Sequence, residues 1–318
     1  MKQLSQRPHQ SRRIPSSRNG LGMVEVVVCV GCLLLILAIA IPWMLSARDV
    51  QRKVTCEARA KAIAEAIITY SDDRGEKLPY LVEGEAGWPV GISPFLDLPG
   101  AVRDGAVIPK EELEALSVPQ FVCPDDPRSA NATGLLSYIV NGGYGLFPVD
   151  ADTGAVSETG THSAEIDLDG DGKVSDEEWA INYATGVVWR PDTRKGEAGF
   201  RMSLPYISSN DGTEFTLLLS ENLNAEHWLS DRTMDLAFVI GRERLQFADQ
   251  PDRLGPLQIT STDLGPFAVN GNLGKLPGQC PAPSSLHGDF VNVMYCDGHG
   301  GPLSAKIDPR AYAALMTS

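Results

Sequence analysis

Residues 26–45 read VVVCVGCLLLILAIAIPWML, twenty consecutive residues without a charge. At about 1.5 Å rise per residue, a helix of this length matches the roughly 30 Å hydrocarbon core of a bilayer. No second run of this kind occurs in the 318 residues, so at most one membrane crossing is expected. Residues 1–20 contain Lys2, Arg7, Arg12, Arg13 and Arg18 and no acid. That basic flank predicts a cytoplasmic N-terminus, with everything beyond Ser46 on the other side.

The rest of the chain has the composition of a protein with a sizeable core, 43% hydrophobic and 21% charged. With 31 Gly and 22 Pro it is loop-rich, yet short of the roughly 25–30% that marks low complexity. A net charge of −14 excludes a nucleic-acid binder, which needs a basic face to neutralise phosphates. Six cysteines are too few for a disulfide scaffold in a chain this long, and with no CxxC…CxxC pair a structural zinc site is not expected.

Four readings of the apolar run compete. A plain anchor needs only hydrophobicity, and a secretory signal peptide would be cut after Ala38-Ile39-Ala40. A lipoprotein signal at Cys32 does not fit, because too little apolar sequence precedes it and too much follows. The fourth reading rests on Arg18-Asn19-Gly20 followed by LGMVEVVVCVGCLLLILAIAIP, which resembles the prepilin-type cleavage and methylation segment. The resemblance implies cleavage after Gly20 by prepilin peptidase and a methylated Leu21 as the new N-terminus. Glu25 and Pro42 then fall where pilin-like helices carry them. Leu21 and Gly22-Met23 depart from the usual residues of that segment.

Physical chemistry gives Glu25 independent weight. A carboxylate at the edge of an apolar helix is costly in lipid and calls for a partner. In pilin-like assemblies the implied partner is the free amine of a neighbouring subunit, here that of Leu21. The alternative keeps Glu25 at the headgroup level of an uncleaved anchor. Cys29 and Cys32 read as small apolar packing residues.

Beyond the apolar run there is no Gly or Pro from Ser46 to Arg74. Cys56, Ala60, Ile63, Ile67 and Tyr70 follow a 4-3-4-3 spacing, one face of an amphipathic helix. A single helix is therefore expected over about 21–73, its span at 26–45, ending near Gly75 and Pro79. Pro42 should loosen it, since proline removes one i→i−4 bond. Cys56 lies on the body-facing stripe, and in an oxidising compartment a partner is plausible. Cys123 is the first choice and Cys280 with Cys296 a second pair; buried free thiols are the alternative for both.

Residues 74–318 read as β-rich. Phe121-Val122, SYIVN (137–141), FTLLLSE (215–221), LAFVI (236–240) and FVNVMYC (290–296) are short apolar runs between turn residues. Helical signal is confined to about 109–117, a turn after Asp176, and the tail from Pro309. The fold class is α+β, an antiparallel β-rich extracytoplasmic domain against a long N-terminal helix.

Cys123-Pro-Asp-Asp-Pro, Ser137-Tyr138 with Asn141, Asp211-Gly212-Thr213 leading to Glu221, and His287 followed nine residues later by Asp297-Gly298 extend the resemblance. Together they are similar to the prepilin-type H-X9-DG proteins, a family of unknown function akin to the type II secretion pseudopilin G. His299-Gly300-Gly301 departs from the family pattern, which leaves the next strand open. The resemblance implies a pilin-like architecture and a single-pass protein of the bacterial inner membrane. A strand between His287 and Asp297 would separate the two by roughly 30 Å, poor geometry for a catalytic dyad. Asp297-Gly298 reads better as a hairpin turn.

One stretch carries ligand chemistry. Residues 167–178, DLDGDGKVSDEE, fit the EF-hand loop: Asp167, Asp169 and Asp171 at positions 1, 3 and 5, Gly172 at the sharp turn, the Lys173 carbonyl, Ser175, and Glu178 at position 12. This predicts a structural Ca²⁺, with a solvated acidic turn as the alternative. The flank before the loop lacks an entering helix, so calcium sensing is not expected.

No GxSxG, HExxH, GxxxxGK or GxGxxG occurs, and the histidines do not cluster along the chain. The expectation is therefore a non-enzymatic, pseudopilin-like envelope protein that assembles with itself or other pilin-like subunits through the N-terminal helix. The alternative is an anchored or secreted binding module that does not polymerise.

Overall fold

A computed structural model describes residues 22–318 except 85, 97–101, 104–105, 108–109, 115, 132, 146, 151, 157–166, 168–170, 192–200, 242–263, 272, 277 and 280. The chain divides into two units, residues 1–50 and 51–318.

Helix α1 (Met23–Asp73) is continuous across Pro42. In the first unit its apolar residues Met23–Ile41 are long and hydrophobic enough to cross a membrane, by length and composition, and none of that stretch is buried. Val26, Leu33, Leu34, Leu35 and Ile36 all stand exposed, around the whole circumference. A helix apolar on every side belongs in lipid or in a bundle.

In the second unit α1 is amphipathic. Cys56, Ala60, Ile63 and Ile67 are fully buried and Tyr70 nearly so, within the one hydrophobic core of the domain. Lys61 and Glu65 point outward as an i,i+4 pair. Beyond Asp73 the chain turns through Gly75 and Glu76, both at positive φ, and the Glu76 N–H returns to the Ser71 carbonyl.

The domain is built on a five-stranded sheet. Its strands are β5 (Tyr138–Gly145), β6 (Leu217–Glu221), β7 (Ala237–Gly241), β8 (Phe290–Tyr295) and β9 (Gly300–Ser304), in the order β7-β5-β6-β8-β9. Two small hairpins, β1–β2 (Val82–Glu83, Ala86–Gly87) and β3–β4 (Val102–Arg103, Ala106–Val107), lie outside it. The sheet is mixed. β5 pairs antiparallel with β6, β6 with β8 and β8 with β9, whereas β7 runs parallel to β5. Every residue of β5, β6 and β7 is buried, so both faces are covered. That burial explains why Tyr138–Val140, Leu217–Leu219 and Ala237–Ile240 are continuous apolar runs rather than alternations.

Short helices complete the fold: α2 (Trp88–Ile92), α3 (Lys110–Glu114), α4 (Asp176–Tyr183), α5 (Leu204–Ser209), α6 (Thr233–Leu236) and α7 (Pro309–Ala314). Helix α5 starts where the Ser203 side chain accepts the Tyr206 N–H, with Pro205 in its first turn, and α7 where Asp308 accepts from Arg310 and Ala311.

Three features differ from the sequence reading. Phe121-Val122 is no strand: Pro119–Phe121 is a 3₁₀ turn, because Pro119 has no donor for a ladder and sets a turn-forming φ. The sheet is not wholly antiparallel, because β7 joins the far side of β5. The strand left open after His299 is formed, as β9 against β8.

Candidate functional site

The sheet's central strands and two loops bring four polar segments together around His287. β6 ends at Glu221, opposite Tyr138 of β5. The His287 ring, fully buried, follows the Ser284-Ser285 turn, where the Ser285 hydroxyl accepts the His287 N–H and donates to the Phe290 carbonyl. Its Nε2 lies 3.0 Å from Glu221 Oε1. Its Nδ1 lies 3.0 Å from Asp125 Oδ2, an ion-pair approach that lacks the direction of a hydrogen bond. The Glu221 carboxylate also accepts the Asn292 backbone N–H at 3.0 Å and its side-chain amide at 3.1 Å. Lys53 of α1 stands over the Phe290 ring, which stacks beside His287.

A disulfide forms the floor of this cluster. Cys56 of α1 and Cys123 are joined, Cα–Cα 5.0 Å, across 67 residues of sequence. Cys123 Sγ lies 3.8 Å from Glu221 Oε1 and 3.9 Å from His287 Nε2. The same end of α1 is held by the Tyr138 hydroxyl, which donates to the Cys56 carbonyl at 3.0 Å, and by Arg59, which donates to the Val122 carbonyl. One ligand atom each from Cys56, Cys123, Glu221 and His287 lies within 4.8 Å of the others, and all four residues are buried.

Burial opposes protonation of His287, but the hydrogen bond and charge of Glu221 and the charge of Asp125 outweigh it, so its pKa is raised from 6.5. Burial, with the Glu221 charge next, pushes the Tyr138 hydroxyl well up and keeps it a neutral donor.

His287 is thus paired with Glu221 and Asp125 and not with Asp297. Asp297 lies beyond the other end of β8, where its Oδ1 accepts the His299 N–H and lies 2.6 Å from His299 Nδ1. Asp297-Gly298 makes the β8–β9 hairpin: the Gly298 N–H donates to the Tyr295 carbonyl, and Gly298 has φ +87°. A turn closed by a residue at positive φ is the three-residue hairpin connection that favours glycine. Cys296 is a free, buried thiol whose pKa burial drives far up, so the second candidate bridge is not made at that end; Cys280 lies outside the described residues.

The acidic loop is described in part. Asp169 lies outside the described residues. Asp167 Oδ2 accepts the Gly172 N–H at 2.8 Å, and Gly172 has φ +85°. Asp171 Oδ1 accepts the Lys173 N–H. Ser175 and Glu178 cap α4 reciprocally: the Ser175 N–H donates to Glu178 Oε2 and the Glu178 N–H to Ser175 Oγ. This capping box accounts for the Glu178 carboxylate without an ion, while the turn at Gly172 folds the loop back on Asp167 as a cation loop requires. Carboxylate, hydroxyl and carbonyl oxygens are the donors a hard cation takes.

Of the processing residues, Gly20 and Leu21 lie outside the described residues. Glu25 stands in the first turn of α1 and accepts the Gly22 N–H at 2.9 Å. Pro42 is helical, and its side chain is not described.

Sequence reasoning assigned no role to Glu221, Asp125 or Asn292. Glu221 and the Cys123-Pro-Asp-Asp segment were visible as parts of a family pattern, but their meeting is set by strand order. No spacing along the chain encodes it.

A family model described as "Protein of unknown function (DUF1559)", SBP_bac_10, matches residues 45–310. The match includes Cys56, Cys123, Asp125, Glu221 and His287 and begins after the apolar half of α1. Comparisons with curated proteins and with solved structures return no match.

Proposed function

The chain belongs to the DUF1559 family, whose function is unknown, and on that premise we propose that it is a membrane-anchored, pseudopilin-like subunit rather than an enzyme. The observation that carries this reading is the first half of α1: an apolar helix with no buried face, with Glu25 the only charge in its first turn. Lipid satisfies the apolar side chains. It does not satisfy a carboxylate, which needs an amine or another donor at the same depth.

In this reading prepilin peptidase cuts after Gly20, and the amine of Leu21 on one subunit meets Glu25 of its neighbour. The helices bundle in the bacterial inner membrane, and the domain, on the periplasmic side, forms the outer surface. The H-X9-DG segment supplies structure, His287 to the buried cluster and Asp297-Gly298 to the hairpin. Asp167, Asp169, Asp171, the Lys173 carbonyl, Ser175 and Glu178 would hold a structural Ca²⁺ that staples the loop ahead of α4. A dissociation constant of about 10⁻⁴–10⁻³ M is typical of extracellular sites of this type.

The test is the N-terminal sequence and intact mass of protein recovered from cell envelopes, together with cross-linking at Glu25. A chain starting at Leu21, methylated, that cross-links to itself or to other pilin-like subunits supports assembly. A start at Ile41 means an exported soluble domain and a start at Met1 a plain anchor. Either of the last two removes the assembly mechanism.

A further inference from the structure

The structure assigns a second state to the Cys56–Cys123 cluster: with the disulfide reduced, we propose that Cys56, Cys123, His287 and Glu221 bind one thiophilic divalent cation such as Zn²⁺. The four groups come from α1, the loop before β5, the end of β6 and the loop before β8, so no CxxC spacing announces them. Three observations carry the inference.

First, the donor set matches the ion. Two sulfurs, one imidazole nitrogen and one carboxylate oxygen are a tetrahedral zinc set. These atoms already lie within 4.8 Å of one another. At a Zn–S distance of about 2.3 Å, two tetrahedral thiolates stand about 3.8 Å apart. With the two Cα atoms 5.0 Å apart, opening the S–S bond frees both side chains to rotate toward that separation.

Second, groups able to serve as an outer shell stand beside the ligands. Zinc-bound histidines usually present their other ring nitrogen to a carboxylate, which sets the tautomer and orientation. Asp125 Oδ2 stands 3.0 Å from His287 Nδ1, leaving Nε2 on the side of Cys123 and Glu221. Asn292 holds the Glu221 carboxylate through two donors. Arg52, 3.7 Å from Asp125, offsets its charge.

Third, the site is buried. Cys56, Glu221 and His287 are 0–2% exposed and Cys123 3%, so a bound ion would be shielded from water and competing ligands.

The chemistry balances in two steps. A dithiol reductant attacks the protein disulfide, leaves as its own cyclic disulfide, and delivers two electrons and two protons to give two cysteine thiols. Zn²⁺ then displaces one proton from each thiol and the Nε2 proton of a doubly protonated His287, all released to solvent, and binds the two thiolates, Nε2 and a Glu221 oxygen. Disulfide and metal are mutually exclusive closures of one site, so oxidation of the two thiolates would expel the ion.

The test uses the full-length protein in detergent, reduced, freed of dithiol without oxygen, and titrated with Co²⁺ in the presence of excess Ca²⁺ to fill the acidic loop. The expected result is one equivalent of Co²⁺ giving a thiolate-to-cobalt charge-transfer band and tetrahedral d–d bands, displaced by Zn²⁺ and absent from the oxidised protein. The double change C56S and C123S, with every other cysteine intact, should lose the charge-transfer band. D125N, which removes only an outer-shell charge and spares the ligands, should weaken affinity about 10–100-fold. Absence of the band from reduced, folded protein overturns the proposal, as does a band that survives the double change C56S and C123S or an affinity unmoved by D125N.

Discussion

His287 Nε2 and Glu221 Oε1 lie 3.0 Å apart in the buried centre of the domain, 66 residues from one another in sequence. The contact joins the loop before β8 to the end of β6, and Asp125 and the Cys56–Cys123 disulfide extend it to the loop before β5 and to α1. A buried polar contact of this kind is costly to break from one side, because the partner left behind is desolvated and unpaired. Four distant segments therefore depend on one another through it.

Replacing Glu221 with Ala strands the His287 ring and leaves both Asn292 donors without their acceptor. The expected destabilisation is about 3–5 kcal/mol, read as a lower denaturant midpoint at unchanged m-value. Glu221→Gln keeps the shape and one acceptor and should cost less. Equal midpoints for wild type and Glu221→Ala would show that the cluster contributes nothing to stability.

The pH dependence of the oxidised protein follows from the same contact. His287 has a folded pKa above its ordinary value of 6.5, because Glu221 and Asp125 outweigh the opposing effect of burial. A group raised in this way contributes stability that is fully present below about pH 6.5 and is lost as pH rises through the folded value. Denaturant midpoints measured at a series of pH values should fall across that window in wild type. His287→Gln should flatten the fall, and an identical slope in both proteins contradicts the assignment.

Opening the disulfide should cost about 4 kcal/mol by the chain-entropy estimate for a closure of this length, given the 67-residue separation of Cys56 and Cys123. The readout in metal-free buffer is the melting temperature of the double Cys56→Ser, Cys123→Ser variant. Hydrogen exchange should rise first in residues 51–60 of α1, the segment the bridge ties down. Uniform exchange along α1 would argue that packing alone holds it.

Truncating the buried stripe tests whether the second half of α1 is core. Ile67, fully buried, should cost about 2–5 kcal/mol when changed to Ala. Leu34, exposed in the first half, should leave the domain's unfolding midpoint unchanged when changed to Ala. A comparable loss at both positions would place the first half in the same core.

Gly298 is the most position-specific residue of the hairpin. Its φ is +87°, and an added Cβ would stand 3.2 Å from Ile68 Cδ1 of α1. Gly298→Ala should therefore destabilise by about 1–2 kcal/mol from the backbone alone. Asp297→Ala, next to it and not bound to a special φ, should be milder; thermal melts of the two variants compare them directly.

Some of this was legible in the residues because it is local. The uncharged run at 26–45, the stripe from Cys56 to Tyr70 and the turn at Asp297-Gly298 are set by periods of a few residues or by one residue's φ/ψ preference. Each can be read without knowing what lies across the fold. Strand order is different. The parallel placement of β7 beside β5 and the meeting of His287 with Glu221, Asp125 and two cysteines follow from pairings over tens to hundreds of residues. Such contacts are selected by the packing of whole apolar faces, and the polar residues at the strand ends are carried to wherever that packing puts them. The sequence alone therefore determined which segments are helix, strand and anchor candidate. Only the tertiary structure decided that its scattered Cys, His, Asp and Glu form one buried cluster, because their proximity is a property of the sheet and of no motif.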